Sequence, residues 1–341
     1  MKHFLDDTVV TITGGTGSFG STLARKLLLT KVSEVRIFSR DENKQDALRN
    51  ELMDKRLKFI IGDVRDLRSV EVAVTGSNYV FHSAALKQVP TCEFFPTEAV
   101  ATNILGSENV IESSIRNKVL GLVCLSTDKA VYPINSMGMS KALMEKVAQS
   151  FARNHPDSLT KIAITRYGNV LMSRGSVVPL FINQIKKKVP LTITNPGMTR
   201  FIMSLDESID LVMHAFQHGK SGDLFVRKAP ACTVETIADA VTKIMGADKS
   251  TKKNLIGVRH GEKNFETLLG SEERNKAIEN NSYFEVPLDT RSLDYSGYFS
   301  QGMKFKDTYP AFTSENTEQL DENQVIKKLL SLEEFKQMIA N

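Results

Sequence analysis

Residues 11 to 20 read TITGGTGSFG, and no other stretch limits the fold as tightly. Gly14, Gly17 and Gly20 are spaced G-x-x-G-x-x-G, and Gly15, Gly17 and Gly20 also satisfy G-x-G-x-x-G. This pattern needs glycine where the turn is tight, where backbone approaches a pyrophosphate, and where a helix packs closely on a strand. The first N–H groups of that helix then face the anion. A glycine-rich turn alone says little. Here it follows an apolar, β-branched run (8–13) and precedes an amphipathic one (23–30), as a strand–turn–helix unit requires. Gly14, Thr16, Gly17, Ser18, Phe19 and Gly20 are the expected cofactor contacts of this turn.

The alternation continues. Strands are expected at 34–38, 57–61, 79–82, 120–126 and 161–165, with helices at 44–55, 69–74, 99–117 and 136–154. Apolar strands separated by helices give a parallel sheet covered on both faces, and right-handed crossovers make it doubly wound. The fold class is therefore α/β, a Rossmann-type doubly wound parallel sheet with a smaller C-terminal α/β substrate-binding lobe. After Asn169 the pattern loosens into helices at 178–187, 205–218 and 234–245, short extended pieces and Pro-Gly signals. We read 1–169 as the dinucleotide-binding domain. Residues 170–341 form the lobe and tail, parts of which return to the first domain. The aromatic-rich stretch 283–323 reads as an arm for a neighbouring subunit.

Composition excludes several classes. Net charge is +4 with Lys and Arg interspersed among Asp and Glu, so no nucleic-acid surface is expected. The basic runs at 186–188 and 249–253 read as solvated surface. Cys92, Cys124 and Cys232 are far apart and lack metal-ligand spacing, so we expect reduced thiols, a reducing compartment and no metal. The start has acids before its apolar run and reads as a strand, not a signal peptide. No run reaches the ~18–20 apolar residues of a membrane span. A soluble, cytoplasmic protein is expected.

The second strand ends in Phe38-Ser39-Arg40-Asp41. Ser39 and Arg40 stand where a 2′-phosphate would sit, and Arg suits that group, so NADP is favoured; Asp41, one residue late, leaves NAD open. In Gly62-Asp63-Val64 the Asp63 carboxylate suits the adenine amino group or caps a helix, and Val64 and Ala84 join the expected cofactor contacts.

Together TGGTGSFG, GDVRD, HSAALK, TNILGSENV, LSTDKA, MGMSK, RYGNV and RHGEK carry a resemblance over nearly the whole length. The chain resembles extended short-chain dehydrogenases/reductases acting on nucleotide sugars. More narrowly, it resembles bacterial polysaccharide-biosynthesis enzymes that dehydrate UDP-N-acetylglucosamine across C4 to C6 with inversion at C5. Some close relatives of that group are described as UDP-glucose 4-epimerases. The resemblance implies a UDP-sugar substrate and a homo-oligomer, a hexamer by resemblance only.

Dehydration with inversion needs an acid and a base side by side near C5 and C6. Asp128-Lys129 supplies the pair at a strand end, Asp128 as acid and Lys129, desolvated and neutral, as base. The superfamily's Tyr-x-x-x-Lys here reads Met137-x-x-x-Lys141. A thioether takes no proton, and Tyr132, before Pro133, belongs to a loop. Lys141 keeps its place on the nicotinamide ribose, Thr127 can hydrogen-bond the C4 oxygen, and Lys129 is assigned the C4 proton as well. On the substrate side, Lys87 can contact the sugar or the nicotinamide end. By resemblance Asn103 supports the strands, Asn169 meets the diphosphate, Arg259 forks onto phosphate and Glu262 accepts from the uridine ribose. Arg174 and Arg200 can add charge at the diphosphate, and His260 reads as structural. Two alternatives stay open: a UDP-hexose 4-epimerase, which has no need of the Asp-Lys pair, and a non-catalytic NADP-binding module.

Overall fold

The computed structural model describes residues 4–173, 175–247, 252–290, 300 and 308–340. Arg174, part of the second basic run (249–251), and 291–299 and 301–307 of the expected arm lie outside the described residues.

Six apolar runs of the first half pair in parallel as β1 (Val9–Thr13), β2 (Glu34–Ser39), β3 (Leu57–Ile61), β4 (Tyr79–His82), β5 (Gly121–Thr127) and β6 (Lys161–Tyr167). Their spatial order is β3-β2-β1-β4-β5-β6. The winding reverses between β1 and β4, which opens a crevice at the carboxyl ends of these strands, where such sheets bind ligands. The crossovers carry α1 (Ser18–Leu28), α2 (Glu42–Leu52), α3 (Leu67–Val74), α4 (Val89–Phe94), α5 (Pro96–Ala99), α6 (Gly106–Arg116) and α7 (Ser136–Asn154). Both faces of the central strands are covered. On β5, Leu122 and Cys124 belong to the core that α3, α6 and α7 share on one face, while Val123 and Leu125 belong to the core that α1 and α2 share on the other. Burial on both sides explains why β5, buried from Gly121 to Ser126, is apolar from Leu122 to Leu125 and does not alternate.

Two helices differ from expectation for local reasons. α1 begins at Ser18, capped by Gly17, because its polar first turn belongs to the glycine cradle. The helix expected over 99–117 is broken by a π-helical stretch, Val100–Leu105. That stretch carries buried Asn103, whose Oδ1 accepts from Leu86 N at 2.8 Å and whose Nδ2 donates to Ser140 Oγ at 3.0 Å. Such bulges are frequent at functional sites.

The second half adds β7 (Asn169–Val170), α8 (Val177–Lys186), β8 (Leu191–Ile193), β9 (Thr199–Met203), α9 (Leu205–His218), β10 (Leu224–Arg227), β11 (Ala231–Thr233), α10 (Val234–Ile244), β12 (Lys253–Leu255), β13 (Thr267–Leu269), β14 (Ile278–Glu279), β15 (Tyr283–Val286) and β16 (Phe312–Thr313). β10 extends the large sheet parallel to β6, and β15 and β14 close it antiparallel, giving nine strands. The start of the expected arm, Tyr283–Val286, is therefore a strand of the central sheet, with Phe284 and Val286 buried on one face. A separate core, including Phe181, Ile182, Ile237, Val325 and Phe335, holds the lobe. No helix of the described residues is long and apolar enough to cross a membrane.

Candidate active site

A cavity of about 820 Å³ runs along the carboxyl ends of the parallel strands. One end is the glycine cradle, where Gly14, Thr16, Gly17, Ser18, Phe19 and Gly20 line the wall. Gly14 has φ +67°, and a Cβ there would lie 2.8 Å from Ala84 N. At Gly20 a Cβ would meet Gly15 Cα at 2.6 Å. The cradle is held by His82, buried on β4, which bonds Thr13 Oγ1 through Nδ1 at 2.7 Å and Ser107 Oγ through Nε2 at 2.8 Å. Burial first, and the nearby Lys141 charge second, lower the His82 pKa to about 3, so the imidazole is neutral.

Ser39, Arg40, Asp41, Lys44, Asp63 and Val64 line the same wall where β2 and β3 end. Asp41 is committed elsewhere: it caps α2 through Lys44 N at 3.0 Å and pairs with the Lys44 ammonium. The helix after β3 is capped by Asp66, not Asp63. Asp63 instead accepts from Arg65 N at 3.0 Å, pairs with the Arg65 guanidinium at 2.6 Å and lies 3.5 Å from Arg40. Burial raises the Asp63 pKa, but the Arg65 hydrogen bonds outweigh it and hold the carboxyl below its ordinary range.

The chemistry-bearing end lies where β5 stops. Thr127, Lys129, Met137, Lys141, Ala84, Lys87 and Asn169 line it. Thr127 Oγ1 donates to Asp128 Oδ1 at 2.9 Å, and Lys129 Nζ lies 3.0 Å from the same oxygen and 3.4 Å from Asn169 Oδ1. Asp128 is fully buried and reaches the cavity through these neighbours. Lys129 departs from the expected neutral base. Burial favours the amine, yet Asp128 and Glu266 outweigh it and raise the Lys129 pKa, so the group is held as an ammonium. Lys141 behaves oppositely: burial lowers its pKa to about 8, against the raising influence of Cys124 and Glu145. Met137 is buried, so no tyrosine-like hydroxyl stands on that helix face. Tyr132 is held off the cavity, its hydroxyl accepting from Ser271 N at 3.2 Å and donating to Glu272 at 3.2 Å.

Beneath the strand end, Arg166 bonds Glu145 at 2.5 Å and Glu273 at 2.7 Å, and Ser126 Oγ donates to Glu145. This buried network ties β5, β6 and α7 together just below Asp128.

Several expected substrate residues lie elsewhere. Arg200 does not line the cavity. Its guanidinium is buried and donates to Thr199 O at 2.7 Å, Lys263 O at 3.0 Å and Glu262 Oε1 at 3.2 Å, bracing the RHGEK loop from below. Arg259 and Glu262 also lie outside the cavity wall and pair with each other at 3.1 Å. His260 pairs with Glu93 at 2.9 Å. Two residues escaped the sequence reading. Glu266, 2 % exposed, lies 3.2 Å from Lys129; the signal was a lone acid beside the apolar Thr267-Leu268-Leu269 run. Thr102 lines the cavity with a buried hydroxyl that has no partner among the described residues; being one polar residue in an amphipathic run, it gave no signal.

The parallel sheet, the glycine cradle, and a strand-end Thr-Asp-Lys facing a helix with Met-x-x-x-Lys define the class: an extended short-chain dehydrogenase/reductase. The model of the family described as "Polysaccharide biosynthesis protein" matches residues 10–288, and that of its C-terminal region matches 289–336. The chain belongs to this polysaccharide biosynthesis protein family. It is 51% identical over 342 residues to a protein of Rickettsia akari named UDP-glucose 4-epimerase, with 99% of each chain covered. Among solved structures it is similar to Pen from Bacillus thuringiensis, with TM-score 0.88, 33% identity, and 96% of this chain and 100% of that one covered. DesIV, a dTDP-glucose 4,6-dehydratase from Streptomyces venezuelae, shares the fold at TM-score 0.68 and 21% identity, covering 74% of this chain and 86% of that one.

Proposed function

We propose that this protein is an NADP-dependent UDP-N-acetylglucosamine 4,6-dehydratase that inverts C5, with residues 1–169 holding the cofactor and 170–341 forming the substrate lobe. One observation carries the reading. At the end of β5, Lys129 contacts Asp128 and faces the cavity, while the position of the usual tyrosine is the buried Met137. Dehydration at C5 and C6 uses such an acid–base pair. Epimerisation at C4 has no use for an acid–base pair at C5 and C6.

The cradle fits a dinucleotide, since Gly14 and Gly20 leave no room for side chains and the α1 N-terminus opens onto the cavity. Arg40, Ser39 and Lys44 would hold a 2′-phosphate, since Asp41 is occupied by its cap, and Lys141 would hold the nicotinamide ribose. A nicotinamide held there would supply reversible hydride transfer, from C4 at the start and to C6 at the end. Thr127 hydrogen-bonds the C4 oxygen. Lys129, once it has given up its ammonium proton, takes the C4 hydroxyl proton, passes it to Asp128 Oδ1 at 3.0 Å and, an amine again, takes the C5 hydrogen. Asp128, now carrying that proton, gives it through the Thr127 hydroxyl to the C6 oxygen, which leaves as water, and a solvent proton returns to C5 on the opposite face. Lys87 contacts the sugar and Asn169 the diphosphate. For their uridine roles, Arg259 and Glu262 exchange their mutual ion pair for the nucleotide.

The test is proton NMR of UDP-N-acetylglucosamine incubated with the protein in D2O. A new C6 methyl signal with deuterium at C5 is expected. A galacto epimer without a methyl signal would move the assignment to a 4-epimerase, the reading favoured by the name of the 51%-identical relative. No reaction, with cofactor still bound, would leave the non-catalytic module or a different sugar nucleotide.

A further inference from the structure

Three groups at the end of β5 carry a charge imbalance. Lys129 Nζ lies 3.0 Å from Asp128 Oδ1 and 3.2 Å from Glu266 Oε1. Asp128 is 0% and Glu266 2% exposed. Each keeps a second oxygen, Oδ2 and Oε2, buried with no hydrogen-bond partner among the described residues. Of the neighbouring cations, Arg200 Nε is 4.0 Å from Glu266 Oε1, while its Nη1 donates to Thr199 O and its Nη2 to Glu262 and Lys263 O. The Lys263 ammonium is spent on Val131 O at 2.6 Å. Asn169 adds only a neutral amide on the side of β7. Two buried carboxylates around one ammonium are costly in a low-dielectric site, and taking up one proton relieves that cost. Burial first, and then Asp128, push the Glu266 pKa up, and together they outweigh Lys129, Arg200 and Lys263.

We infer that Glu266 is a positioning residue that takes up the proton Lys129 must shed before it can act as a base. The proton moves along the Nζ–H···Oε1 contact: the ammonium becomes an amine, the carboxylate becomes a carboxylic acid, and the net charge of the cluster is unchanged. Lys129 lines the cavity and Glu266 does not, so Glu266 acts through Lys129 and never touches the sugar. Substrate that displaces water from the cavity favours the neutral pair over the ion pair, so the amine appears when there is a C5 hydrogen to take. The step at C5 rests on the function proposed above; the proton exchange is a property of the free protein.

The test is Glu266→Gln, which keeps the shape but cannot take the proton. With wild type, kcat for methyl formation stays level across the neutral range. In the variant Lys129 must lose its proton to solvent, so kcat falls about 100-fold near neutrality and rises about tenfold per pH unit, with KM within about threefold. A variant profile parallel to wild type overturns the proposal. In the free protein, NMR titration of the Lys129 side chain, assigned by its loss in Lys129→Met, should shift down by about one pH unit in Glu266→Gln. An unmoved titration overturns the proposal even if wild type forms no methyl signal, an outcome that by itself counts only against the dehydratase reading. Should the Gln variant fail to fold, Glu266→Asp keeps a proton acceptor. It should show a lower kcat on a level profile, and a sloping profile would overturn the idea.

Discussion

Gly138, in the first turn of α7, lies against the backbone of Lys129. A Cβ at this position would sit 2.2 Å from Lys129 O, 3.1 Å from Lys129 C and 3.2 Å from Pro133 Cβ. Gly138→Ala therefore requires a separation of roughly 1 Å. The helix side is fixed, because Asn135 caps α7 by accepting from Gly138 N at 2.8 Å. The displacement must fall on the 128–130 turn, which carries Lys129 Nζ away from Asp128 Oδ1 and Glu266 Oε1. A misplacement of about 1 Å costs about 100-fold in rate. Overpacking costs about 1–3 kcal/mol, offset in part by the ~1 kcal/mol helix preference of Ala over Gly. We expect kcat for methyl formation to drop about 100-fold, a net stability loss of about 0–2 kcal/mol, and cofactor affinity within about threefold, since the cradle at 14–20 is untouched. Proton NMR, urea unfolding and a cofactor titration measure the three. Half or more of wild-type kcat in Gly138→Ala would refute the claim that the close contact sets the position of Lys129.

Other expectations follow from the same geometry. His82 has a folded pKa of about 3 against 6.5 unfolded, so the unfolded chain binds its proton first as pH falls. Its contribution to stability is full above 6.5 and declines below it by about 1.4 kcal/mol per pH unit; urea unfolding at stepped pH should give a shallower decline in His82→Asn. Lys141, lowered to about 8, loses its ammonium above that pH, so cofactor affinity should weaken there in wild type and stay flat in Lys141→Met. Arg166→Met strands Glu145 and Glu273 in the buried network and should cost about 3–5 kcal/mol in urea unfolding.

Local patterns made the sheet and the cradle legible. Six apolar runs separated by helical stretches set the parallel direction of β1 to β6, and glycine spacing set the turn before α1; the spatial order came from the structure. The π-helical stretch at Val100–Leu105 left no trace, because its composition is that of an ordinary amphipathic helix. Residues 283–286 looked like a tail because pairing between β15 and β10 is decided by tertiary contact over a long separation. The site was legible wherever a residue stood at a strand end, as Thr127, Asp128, Lys129 and Asn169 do. Charge states were not. That Lys129 is an ammonium and Arg200 a brace depends on Glu266 and Glu262, which arrive from a part of the chain more than a hundred residues beyond β5.

Those charge states bear on the C4 proton, which Met137 cannot take. Lys129 was assigned both the C4 and the C5 transfers, and Lys129→Met tests the two together. Cofactor should bind within about threefold of wild type, because the cradle and Lys141 are intact. On mixing with UDP-N-acetylglucosamine in a single turnover, no reduced-nicotinamide absorbance should appear and no deuterium should enter C5, because neither proton has an acceptor. The alternative result is as informative. If the absorbance rises and stays while C5 remains undeuterated, C4 oxidation does not need Lys129. The C4 proton then has another acceptor, and Lys141 is the cavity-lining lysine whose pKa, about 8, suits it. Loss of both signals in Lys129→Met, with both retained in Lys141→Met at saturating cofactor, would leave Lys129 as the base for the whole sequence.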